Sequence, residues 1–499
     1  MMKTENELLL YLNEIERRLE KIGQESGSLS FEKFVDKQPK PRLVELEKER
    51  SEIVLDPVLH EVINTWAERI SDPLLARRVE LWQNTLLGSK VAARPDVLKL
   101  TRELGDKIIA HKYNVNGEYI DIGALRSILR GNPDRALRQA AFESQAELSQ
   151  SLEKCLVELT NLRNLAAQEA GYANYVDLSI HLGGMSTEQV EGILRELTKA
   201  TDTTYLAIMQ RGAEELGIPS IEPWDVQYIL EQSGQIDKSK FPVDKINSSL
   251  ETYVQSMGYA SLEALNITPC VVDIPYNGLC MGITRKDIRI LFNPRDGFAY
   301  YKTAFHELGH ALHSSLNTQE HLGMRRESGI FTEGIAEIFG YIPQHPDFLR
   351  SMGLSDEELS GARQALLGPL FHYLRQRTAY CLFEHAMYKD TTQDLDALLG
   401  QVESEILRCS LNPSPRWASN AWYVNYPVYW HNYVLADVIA SQVHEHLRQN
   451  IGDLYNSKAA FDYCINAYIA PGARIPWLKK IAEGTGYELQ AKALIQDLS

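Results

Sequence analysis

From about residue 5 to about residue 260, apolar positions recur at three- and four-residue intervals, the pattern of helices that bury one face. Near the N-terminus, Leu8, Leu12, Ile15, Leu19 and Ile22 predict an amphipathic helix. A longer stripe, Leu137, Ala141, Leu148, Leu152, Leu156, Leu159 and Leu162, predicts helix from Asp134 to Ala170, where Gly171 stops it. No fixed-period repeat accompanies these stripes, which argues against a solenoid. The period changes at Thr268 to Ile274 (TPCVVDI) and Asp287 to Phe292 (DIRILF), short β-branched runs flanked by Pro, Gly and Asn that predict a small sheet. Helical spacing returns after Gly297 and again after Pro343, apart from a proline-containing aromatic segment near residues 411–430. The expected fold is mainly α and two-lobed, with a deep cleft and a small β-sheet beside one histidine-bearing helix. The expected boundary places one helical lobe at 1–260 and a second lobe at 261–499.

Composition narrows the classes open to this chain. Its 499 residues are 44% hydrophobic, enough for a large core. Asp and Glu number 67 against 51 Lys and Arg, a formal charge of -16, which argues against nucleic acid as the partner because phosphate binding needs clustered positive charge. The N-terminal stretch lacks the basic start and apolar run of a signal peptide. The longest run without Lys, Arg, Asp or Glu, Trp417 to Ala436, contains Asn, Ser, Pro and His and is a poor bilayer span. A soluble, cytoplasmic protein with no membrane partner is expected. Cys155, Cys270, Cys280, Cys381, Cys409 and Cys464 show no CxxC spacing, so neither a cysteine zinc site nor a redox motif is expected.

The chemistry concentrates between Ala304 and Gly340 (AFHELGHALHSSLNTQEHLGMRRESGIFTEGIAEIFG). On a helix, residues four apart share a face, so His306 and His310 can point at one metal ion with Glu307 beside them. Catalytic zinc commonly takes three protein ligands and a water. His313 lies on the same face but roughly 10 Å along the axis from His306, too far to share the ion. Leu316 stands where the extended motif carries a third histidine. A carboxylate is therefore favoured. Glu333 and Glu337 are four apart in FTEGIAEIFG; one can bind zinc while the other accepts a hydrogen bond from a ligating histidine. Two acids inside an otherwise apolar segment would be costly unless paired or metal-bound.

HELGHALHSS resembles the zinc helix of the thimet oligopeptidase and oligoendopeptidase F family, and GIFTEGIAEIFGYIPQHPDFL resembles the third-ligand region of the angiotensin-converting enzyme (peptidyl-dipeptidase A) family. Both are glutamate-zincin metallopeptidases. In either pattern the first acid of the pair is the ligand and the second supports a ligand, which falls on Glu333 and Glu337 here. DIRILFNP resembles an edge strand that aligns substrate, and LRNLAAQEAGYANYVDL and WDVQY resemble oligopeptidase segments. YVLADVIASQVHEHL places Tyr433 where these families carry a tyrosine that donates a hydrogen bond to the tetrahedral intermediate. In that register the family's transition-state histidine falls on Tyr423, with His431 a lower-ranked substitute. The converting-enzyme lysine that holds a terminal carboxylate falls on Ala421, and a neighbouring tyrosine on Trp430, so carboxydipeptidase activity does not carry over directly; a different anchor, such as Arg416, stays open.

The resulting expectation is a zinc metallopeptidase acting on oligopeptides, with one zinc ion per chain on His306, His310 and Glu333. Glu307 is the expected general base, and Tyr433, with Tyr423, the oxyanion donor. Alternatives are a peptidyl-dipeptidase or carboxypeptidase of the same fold, or a weakly active or inactive zinc-containing peptide-binding protein. A zinc-stabilised scaffold is disfavoured, since it has no use for Glu307 or Tyr433.

Overall fold

The computed structural model describes residues 3–234, 236–274 and 276–499; Met1, Met2, Gln235 and Pro275 lie outside it. The fold is mainly α-helical with two small sheets. Among the described residues, no helix is long and apolar enough to cross a membrane. The chain divides into two compact units.

The first unit comprises the chain up to Lys90, Asp237–Asp356 and Leu435–Ala493. Its N-terminal helix, Glu5–Asp36, starts at a capping box in which Thr4 and Glu7 satisfy each other's backbone N–H groups. That helix buries Leu8, Leu12, Ile15 and Leu19 against a cluster that includes Leu59, Ile63 and Trp82. In its middle, buried Glu16 meets Arg78 at 2.8 Å, so the one acid on the apolar face is paired.

A three-stranded sheet carries the rest of this unit. The strand Asp287–Phe292, which the resemblance implied to be an edge strand, lies in the centre, parallel to Ile267–Val271 and antiparallel to Gly278–Thr284, so its backbone is paired on both sides. Its Ile288, Ile290, Leu291 and Phe292 are fully buried, which is why DIRILF reads so clearly as strand. The first strand ends at Val271, three residues before the expected Ile274. Gly278–Thr284 (GLCMGIT) gave no strand signal because two glycines interrupt it.

The helix Phe298–Leu316, which carries HELGH, packs on this sheet and on the helix Gly329–Gly340. A side chain at Gly309 would place its Cβ 2.6 Å from Ala336 Cα, so the glycine of HELGH is what lets the two helices touch backbone to backbone. Through that contact the acids of the second helix reach the histidines of the first.

The second unit comprises Val91–Ile236, Glu357–Val434 and Leu494–Ser499. The stripe expected to form one helix forms two, Arg135–Glu143 and Gln145–Glu169, separated at Ser144. The Ser144 hydroxyl donates to the Ala141 carbonyl at 2.8 Å, a local bond of the kind that competes with helix continuation. Gly171 ends the second helix with φ +91°, as its position suggests. A hairpin, Tyr113–Val115 with Glu118–Ile120, interrupts a stretch expected to be helical; Asn116 (φ 54°) and Gly117 (φ 90°) make its turn, so the Asn-Gly pair was the signal. In WDVQY, Asp225 is fully buried and takes hydrogen bonds from Arg135 and Arg138, tying the helix Pro223–Gln232 to the helix Arg135–Glu143.

Candidate metal centre

Helical geometry brings the imidazoles of His306 and His310 to a ring separation of 5.0 Å. Glu333 Oε2 lies 3.3 Å from His306 Nε2 and 3.8 Å from His310 Nε2. One ligand atom from each of the three lies within 4.8 Å of the other two. Tetrahedral zinc with bonds of about 2.0–2.2 Å spaces its ligand atoms roughly 3.3–3.6 Å apart, so the three side chains fit such an ion with small adjustments.

The surrounding charges favour a cation. Burial opposes the charge on Glu333, yet hydrogen bonds from His306 and His310 outweigh it and hold the carboxyl far below the usual range. Burial would likewise neutralise His306, but Glu333 and Glu337 push its pKa well above the ordinary value. Glu337 Oε2 sits 2.9 Å from His306 Nδ1, and its other oxygen 2.6 Å from Lys302 Nζ. That pairing keeps Glu337 ionised against the effect of burial. With His306 Nδ1 committed to Glu337, Nε2 is the nitrogen left to face Glu333.

Glu307 is 7% exposed, and burial raises its pKa, opposed by His306 and His310. The Cys280 backbone N–H donates to its carboxylate. A Cβ at Gly278 would fall 2.5 Å from Thr303 Cγ2 and 2.9 Å from Glu307 Cγ. The strand that gave no signal in the sequence is therefore the one that holds Glu307. A glycine inside a strand marks close approach, and Gly278 was the available clue.

His313 stands apart from this group, its Nε2 4.0 Å from Glu327, whose carboxylate is paired with buried Lys480. The remaining candidates belong to the second unit. Tyr433 lies among aromatic rings, 5.5 Å from Tyr429 and 5.7 Å from Trp422 between centroids. Tyr423 is buried and donates its hydroxyl to the Tyr380 carbonyl at 3.3 Å. Arg416 is ion-paired with buried Glu403, so its charge is already engaged. His431 is 3% exposed, and burial lowers its pKa to about 3.

Residues 128–266 match the model of peptidase family M3. The match covers LRNLAAQEAGYANYVDL and WDVQY and ends before His306, so it and the HELGH motif are separate stretches that point the same way. It supports the resemblance to the thimet oligopeptidase and oligoendopeptidase family, and with it metallopeptidase activity on peptides. No curated protein matches the chain.

Proposed function

We propose that the chain hydrolyses peptide bonds within oligopeptides, with zinc held by His306, His310 and Glu333. The chemistry zinc supplies at such a site is Lewis acidity towards water and the scissile carbonyl. Glu307 takes the proton of the attacking water and returns it to the leaving amine. The Cys280 N–H fixes the carboxylate's orientation, and the burial that raises its pKa makes it a stronger base for this step. Glu337 holds His306 in the tautomer that presents Nε2. Tyr433 keeps the role given by the resemblance, donating to the oxyanion; the Tyr423 proton is already given to a main-chain carbonyl, so the role falls to Tyr433 alone.

The observation that carries this reading is the convergence of two imidazoles and a carboxylate with a buried glutamate set between them on the same helix. Incubation of the zinc-loaded protein with a mixed peptide library, read by mass spectrometry, tests it. Internal cuts that stop on chelation and resume with added zinc are expected. Cuts confined to C-terminal dipeptides or single residues would replace the oligopeptidase reading with an exopeptidase one, and binding without cuts would leave a peptide-binding protein.

A further inference from the structure

The second unit holds another group with the geometry of a metal site. Cys381 and His385 lie one turn apart on the helix Asp356–Lys389, and His431 comes from the first turn of the helix Trp430–Asn450. One ligand atom from each lies within 4.8 Å of the other two, and all three residues are buried. The Cys381 sulfur is 3.3 Å from His385 Nε2, close to the roughly 3.6 Å edge of a zinc tetrahedron with one sulfur and one nitrogen ligand.

Two contacts and one unpartnered nitrogen match what metal sites require. Glu191 Oε1 sits 3.0 Å from His385 Nδ1, so a carboxylate orients that ring and leaves Nε2 towards the sulfur. The His431 backbone N–H donates to the Cys381 sulfur, a bond that favours the thiolate. His431 Nδ1 is buried with no hydrogen-bond partner among the described residues, a cost to the fold in the absence of a ligand.

Cys381, His385 and Glu191 also have the connectivity of a nucleophilic triad. Burial argues against it: Cys381 is 1% exposed, and burial pushes its thiol up, whereas reactive cysteines are accessible and acidic.

We infer that Cys381, His385 and His431 form a second metal site, offering three protein ligands to a borderline-soft divalent cation, with zinc as the natural occupant. Binding replaces the thiol proton, which leaves to solvent, by a sulfur–metal bond. This cluster shares no residue with the zinc ligands or the base of the proposed peptidase site, so it stands independently of that reading.

The test is cobalt loading of the metal-stripped full-length chain. Wild type should take up two cobalt ions and show a thiolate-to-cobalt charge-transfer band in the near ultraviolet. His310→Ala, which leaves the second group intact, should keep the band and one ion. Cys381→Ser should lose the band and one ion. Should Cys381→Ser fail to fold, as judged by circular dichroism, His431→Asn with the thiol retained should lose the same ion. Absence of the band in His310→Ala, or its survival in Cys381→Ser, would overturn the inference.

Discussion

The two clusters are built alike and differ where chemistry would need them to. Each takes two side chains one turn apart on a single helix, His306 and His310 in HELGH, Cys381 and His385 in CLFEH. Each gains a third from another helix, Glu333 or His431, and each has a carboxylate on the Nδ1 of one histidine, Glu337 or Glu191. In the first, the residue after the leading ligand is Glu307; in the second it is Leu382. His306 and His310 are partly open to solvent, whereas Cys381, His385 and His431 are all buried. An accessible ion beside a base can act on water, while a sealed one without a base at that position is shut off from it.

The largest effect is expected of His310→Ala, which should leave no detectable peptide cleavage while the cobalt–thiolate band remains. Residual chelator-sensitive cleavage in that variant would mean that the second cluster, or neither, supports the activity. Gly278→Ala should come next, because its methyl group presses on Thr303 and Glu307. Displacing the base by about 1 Å should lower kcat by about 10²-fold with zinc content unchanged; a variant with full kcat would separate the strand from the chemistry.

Glu337→Gln and Glu191→Gln sharpen the parallel. Each should weaken metal affinity about 10–100-fold at its own cluster and leave the other unaltered, as titration with a competing chelator would report. A variant that weakened both sites, or neither, would contradict the assignment of one carboxylate to each histidine.

A smaller effect concerns the helix that carries Cys381 and His385. Arg375 on that helix meets Asp202 at 2.9 Å, and Arg408 pairs with the same carboxylate. Burial pushes the Asp202 pKa up, but the two guanidinium groups outweigh it and leave it below the usual value. A depressed folded-state pKa means stability that is present above the unfolded pKa and lost as pH falls through the folded one. Asp202→Asn should cost about 1–3 kcal/mol near neutral pH and flatten the acid limb of the stability curve. An unchanged acid limb in thermal melts would remove Asp202 from this role.

Periodicity was enough to expect a mainly helical chain and a strand at Asp287–Phe292, since buried faces impose their spacing on the sequence, but not the strand's central place in the sheet, where the resemblance implied an edge. The HELGH spacing likewise sufficed to expect His306 and His310 on one face. What the sequence did not show were features set by contacts between distant segments. The strand Gly278–Thr284 exists because it pairs with Asp287–Phe292, and only then can its Cys280 N–H reach Glu307. The single long helix expected from Asp134 is interrupted at Ser144, and the hairpin at Asn116–Gly117 was hidden within helical surroundings. Cys381 and His385 have ligand spacing on a helix, but His431 stands 46 positions further along, and a search for CxxC passes over all three.

The most direct test of the central claim is the pairing of zinc content with peptide turnover in Glu307→Gln. This amide is nearly isosteric with the carboxylate and removes only its capacity to take a proton. Unchanged zinc content and a loss of kcat of about 10²–10⁴-fold are expected. A variant that keeps both its zinc and its turnover would contradict the claim.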